Sequence, residues 1–140
     1  MAVTLEIHTT RPYFWGAIYA FDADRAVPDS GDLRREGEVW TGPDCVVIGV
    51  QHASTAPVSE NFPSDAPIPP AEVGLRIQVR DEPVRKAMHE VSIDVPSGIL
   101  NIGDADKSED LQLRPGRWRL QINLSSLIEA TSVEVYVSPS

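Results

Sequence analysis

The sequence is poor in cysteine, histidine, positive charge and long apolar runs, and each shortage excludes something. Cys45 is its one cysteine. No internal disulfide is available, and nothing marks an oxidising compartment. In the run Cys45-Val46-Val47-Ile48 the thiol reads as a small buried hydrophobe, not a nucleophile. No stretch approaches the ~20 apolar residues that cross a bilayer, so no membrane partner is expected. Residues 1–8 hold no basic segment followed by a long apolar one, so no signal peptide is visible and a cytoplasmic location is the default expectation. G-x-S-x-G, the P-loop and G-x-G-x-x-G are all missing, and no catalytic residue is assigned. His8, His52 and His89 are scattered without the close spacing of a zinc motif, and neither metal nor cofactor is expected. Lys and Arg number 12 against 21 Asp and Glu, a net charge of −9. A field of that sign repels nucleic acid and favours basic partners, with plain solubility as the simpler account.

What is present is an alternating pattern over 140 residues, a length that suits one domain spanning 1–140. Successive side chains of a strand point to opposite faces, so strict apolar–polar alternation reads as a half-buried strand. The pattern recurs at Val3-Leu5-Ile7, Val73-Leu75-Ile77-Val79, Val91-Ile93-Val95, Trp118-Leu120-Ile122-Leu124 and Val133-Val135-Val137. Short strands also fit 99–102 and 111–113. Turn chemistry separates them at Pro96-Ser97-Gly98 and Arg114-Pro115-Gly116. The expected fold is all-β and mostly antiparallel: a two-sheet sandwich or flattened barrel with at most one short helix or turn, at Asp81–His89. The expected core is Val73, Leu75, Ile77, Val79, Val91, Ile93, Trp118, Leu120, Ile122, Val133 and Val135. Residues 53–72, with Pro57, Pro63, Pro67, Pro69 and Pro70, read as a long loop, because proline lacks the donor a ladder needs.

Two segments are apolar on both faces, 13–21 and 45–50. The first gathers Tyr13, Phe14, Trp15, Tyr19 and Phe21 from a chain with three each of Phe, Tyr and Trp. Its odd positions carry Tyr13, Trp15, Tyr19 and Phe21, and Asp22, Asp24, Asp29 and Asp32 follow. Either the strand is central and covered on both sides, which is the commoner fate of aromatics, or the odd face is an exposed stripe with an acidic rim. On the second reading Tyr13, Trp15, Tyr19, Phe21, Asp22 and Asp24 are the partner-binding candidates.

Other constellations are weaker. Asp104, Asp106, Ser108 and Asp110 occupy positions one, three, five and seven of a calcium loop. Glu109 stands where glycine is needed and Pro115 where a bidentate acid belongs, so an acidic turn is the better reading. Arg76, Arg80, Arg117 and Arg119 lie on the polar faces of two expected strands, where pairing with acids is the expectation.

The last third of the chain resembles a group of small bacterial proteins whose C-terminal half reads V-P-S-G-x-L, an acidic loop, then P-G-x-[YW]-R. Here the pieces are Val95-Pro96-Ser97-Gly98-Ile99-Leu100 and Pro115-Gly116-Arg117-Trp118-Arg119-Leu120, followed by the strand 133–137. More distantly, the layout is similar to the competence protein J family, small β proteins that inhibit a partner nuclease. That resemblance implies a protein-binding inhibitor or immunity-like role. It carries over no functional residue, since the matched positions are turns and core. Together these readings favour a non-enzymatic module that binds a basic protein. The alternatives are an enzyme or small-ligand binder with a pocket between the sheets, and a structural homodimer.

Overall fold

The structure, a computed structural model, describes residues 3–25, 33–42, 44–53, 70–126 and 129–140. These form eleven strands: β1 (Val3–Arg11), β2 (Ala17–Asp22), β3 (Arg34–Glu36), β4 (Val39–Thr41), β5 (Cys45–Gly49), β6 (Val73–Arg80), β7 (His89–Val95), β8 (Ile99–Gly103), β9 (Ser108–Gln112), β10 (Gly116–Leu124) and β11 (Ser132–Pro139). They build two sheets, A in the order β1-β6-β11-β10-β7 and B in the order β3-β4-β5-β2-β8-β9. Every pairing is antiparallel except β6 with β11, which run parallel. The sheets stay separate and do not close into a barrel.

The core lies between the sheets. Ile77, Val135 and Ile122 are cross-strand neighbours in sheet A. Val39, Ile48 and Ile18 form the matching row in sheet B. All six are essentially inaccessible to solvent. Of the expected core residues all are buried except Val91, which is half-buried on the edge strand β7. Strand β1 departs from its alternation: Val3 and Leu5 remain 45% and 41% exposed. It is the other edge of sheet A, flanked by β6 alone, and only its Ile7 packs on the core.

The chain changes sheet between β7 and β8 and again between β9 and β10. Those corners are the Pro96-Ser97-Gly98 and Arg114-Pro115-Gly116 turns. They lie against each other, with Leu113 N–H donating to Gly98 O at 2.7 Å. Gly98 has φ +78°, and a Cβ there would stand 3.0 Å from Leu113 O. The residues behind the C-terminal resemblance are therefore two interlocked corners.

Among the described residues there is no helix, so 81–88 is irregular rather than helical. The reason is competition for backbone groups. Gln121 of β10 accepts from Val84 N–H at 2.8 Å and donates to Val84 O at 3.0 Å, while Asn123 accepts from Met88 N–H at 2.9 Å. Pro83 supplies no donor, so the segment is stitched to sheet A by side chains instead of to itself. Most of the expected loop, 54–69, lies outside the described residues. Its two ends meet where Ala71 N–H donates to Ala53 O at 2.8 Å.

Candidate functional site

Strand β2 decides which face of the aromatic segment is wet. Ile18, Ala20 and Asp22 point inward and are buried, so Ala17, Tyr19 and Phe21 point out of sheet B. The register extends this outer face across the sheet. Trp40, Val47, Tyr19 and Gly103 form one cross-strand row, and Cys45, Phe21 and Asn101 form the next. Trp15 stands over them at the end of a turn closed by Gly16 N–H to Tyr13 O, 3.0 Å. It is 73% exposed. Two shallow clefts flank it. One, of about 360 Å³, is lined by Trp15, Tyr19, Phe21, Asn101 and Asp104. The other, of about 350 Å³, lies among Trp15, Tyr19, Trp40, Leu33 and Glu38.

The sequence candidates separate. Trp15, Tyr19 and Phe21 come together on this face, and Asp24 is exposed just past β2. Tyr13 does not join them. Gly16, with φ +66°, breaks the alternation before β2 begins, and Tyr13 turns into the core with 1% exposure. The Arg11 guanidinium stacks 4.0 Å from its ring centroid. Asp22 also leaves the surface, being fully buried beneath the Pro96-Ser97-Gly98 corner. Its Oδ2 accepts from Ser97 N–H at 2.9 Å and Ser97 Oγ at 2.8 Å, and its Oδ1 from Asp24 N–H at 2.9 Å. Burial pushes this carboxyl up, but those donors and Arg25 outweigh it and hold it below the usual aspartate value. Asp29 and Asp32 lie outside the described residues.

Two residues of the face went unread in the sequence, Trp40 and Glu38. Strand β4 is three residues long, too short for alternation to show. The available signal was Trp40 between Val39 and Thr41, a β-forming triplet with its aromatic on the opposite face from the valine.

The remaining constellations are structural. Asp104 Oδ1 accepts from Arg11 Nη2 at 2.8 Å and from the Asp106 and Lys107 N–H groups at 3.1 Å each. This carboxylate organises a turn and ties it to β1. Among the described residues no three His, Cys, Asp or Glu side chains gather as metal ligands. On the outer face of sheet A, Arg76 pairs with Glu6 at 2.9 Å and Glu134 at 2.8 Å, and Arg117 with Asp94 at 2.8 Å. That face is polar and internally paired, whereas the outer face of sheet B is aromatic. Cys45 is buried, and burial, reinforced by Asp44, pushes its thiol pKa up.

No protein-family model matches the sequence, and no curated protein matches it. Two solved structures share the fold. ComJ from Bacillus subtilis, described as an inhibitor of the DNA-degrading activity of NucA, superposes with a TM-score of 0.59 over 99% of this chain and 98% of its own, at 8% identity. The protein of crocagin biosynthetic gene J superposes with a TM-score of 0.55 over 96% of each chain, at 16% identity. At such identities the likeness is one of architecture, and it spans both sheets.

Proposed function

We propose that the chain is a protein-binding module that docks a basic protein on the outer face of sheet B and acts as an inhibitor of that partner. One observation carries the reading. Trp15, Tyr19, Phe21 and Trp40 lie together on one outward surface of a chain with net charge −9. A contiguous aromatic patch is the composition of an interface centre, and single exposed hydrophobics are not. Glu38 and Asp110 border it, and Asp24 lies beyond the end of β2. This arrangement draws a basic partner by long-range attraction and leaves affinity to the aromatics that the contact would cover. The architecture shared with ComJ supports an inhibitory role, with a nuclease as the first partner class to test.

A second reading has its own support. Each cleft beside Trp15 is near the lower end of the ~300–1,000 Å³ range of small-ligand sites. Their openness on the sheet surface fits inserted side chains of a protein better than an enclosed molecule.

The test is capture on the immobilised chain from an extract of the cells that make it. The captured species is then purified and titrated by calorimetry at low and physiological salt. The captured species should be a basic protein whose affinity falls as salt rises. If it degrades DNA, excess chain should stop that activity. An acidic or neutral species bound equally at both salt levels would overturn the proposal.

A further inference from the structure

The cleft beside β4 has a chemistry more specific than apolar contact. Its walls are Trp15, Tyr19 and Trp40, and Glu38 lies along its floor. Gly49, without a side chain, makes the room that the Glu38 carboxylate and the Trp40 ring occupy. A Cβ at Gly49 would stand 2.8 Å from Glu38 Oε2 and 3.2 Å from Trp40 Cζ3. The backbone fixes Glu38 there, through Gly49 N–H donating to Glu38 O at 2.7 Å. The cleft thus joins aromatic faces to one carboxylate oxygen.

The chain already shows what such a combination accepts. Arg35, the cross-strand neighbour of Trp40, places its guanidinium 4.9 Å from the Trp40 ring centroid and 3.2 Å from Glu38 Oε1. It approaches from the β3 side and does not line the cleft. Glu38 Oε2 and the cleft side of Trp40 are left for a second cation. A planar guanidinium stacks on an indole and bonds a carboxylate at once, which an ammonium does less well.

We propose that this cleft is the anchor pocket for an arginine side chain of the basic partner, stacked between Trp15 and Trp40 with Glu38 as its counter-ion. The inference rests on the docking face proposed above and assigns the residue chemistry it reads.

The probe is the capped peptide acetyl-Gly-Arg-Gly-amide, titrated into the full chain and followed by the indole N–H resonances of its three tryptophans. Trp15 and Trp40 should move, while Trp118, whose Nε1 donates to Arg114 O at 2.8 Å inside the fold, should not. The same peptide with citrulline, which keeps the shape and loses the charge, should bind about fivefold more weakly. E38Q should weaken the arginine peptide by a similar factor. R35Q should tighten it, because a neighbouring positive charge is removed, and a merely structural role for Arg35 would not produce that gain. Still Trp15 and Trp40 resonances at the highest peptide concentration, or equal binding of the citrulline peptide, would overturn the anchor. To separate the two readings, E38Q and the double variant Trp15→Ser/Tyr19→Ser are compared against the captured protein. Loss of binding in the double variant with full binding by E38Q would remove the anchor and leave the face standing. Full binding by both would remove the face as well.

Discussion

Asp22→Asn tests how β2, which carries Tyr19 and Phe21, is held against the Pro96-Ser97-Gly98 corner. The carboxylate is buried and accepts three hydrogen bonds, two from Ser97 and one from Asp24 N–H. An amide offers one acceptor oxygen. If that oxygen keeps the Asp24 N–H, the new NH₂ faces the Ser97 N–H, donor against donor. At least one charge-assisted bond is lost, worth ~1.5–3 kcal/mol, and the partly buried Ser97 N–H is left unpaired at a cost of up to ~1–3 kcal/mol. These costs overlap, so the expected destabilisation near neutral pH is ~2–4 kcal/mol. Its pH dependence follows from the lowered carboxyl pKa of the folded protein. A carboxylate of that kind contributes fully above its unfolded pKa of ~3.9, and the contribution fades as pH falls through the lower folded value. Urea melts of wild type and D22N at neutral pH and at several values below pH ~4 should therefore converge in acid. A difference under ~0.5 kcal/mol at neutral pH, or one that persists unchanged in acid, would refute the assigned hydrogen bonds.

Leu120→Ala, at a fully buried site in the middle of sheet A, should cost ~2–5 kcal/mol in urea melts, and a loss under ~0.5 kcal/mol would show the site can be emptied freely. Gly103→Ala should destabilise by more than ~2 kcal/mol, because the residue has φ +155° and its Cβ would collide with Lys107 O and the Ser108 backbone; a melting curve like that of wild type would contradict this. Cys45 should resist iodoacetamide in the native protein and react fast in denaturant, since burial both shields the thiol and raises its pKa; rapid native alkylation would count against that placement.

The β-rich architecture was legible because alternation survives wherever one face is dry, as at Val73–Val79 and Trp118–Leu124. The absence of a helix at 81–88 was not legible. Asp81 and Pro83 mimic a helix start, and the groups that override it, Gln121 and Asn123, lie on a distant strand. The aromatic segment was half legible. Odd–even spacing placed Tyr19 and Phe21 on one face, but it carried Tyr13 along with them, because spacing cannot register the left-handed turn at Gly16. Asp22 likewise looked like one of a run of surface acids. Its burial depends on Ser97, which is remote in sequence and near in space. Trp40 and Glu38 join the face through the register of β4 with β5, information that a three-residue strand does not carry.

Hydroxyl-radical footprinting of the chain, free and bound to its captured partner, bears on the docking face most directly. Aromatic and methionine side chains report on both surfaces at once. Trp15, Tyr19, Phe21 and Trp40 should become protected in the complex, while Tyr136 on the outer face of sheet A and Met88, which is 41% exposed, oxidise as before. Protection of Tyr136 and Met88 with unchanged oxidation of Trp15 and Trp40 would place the partner on sheet A and refute docking on sheet B.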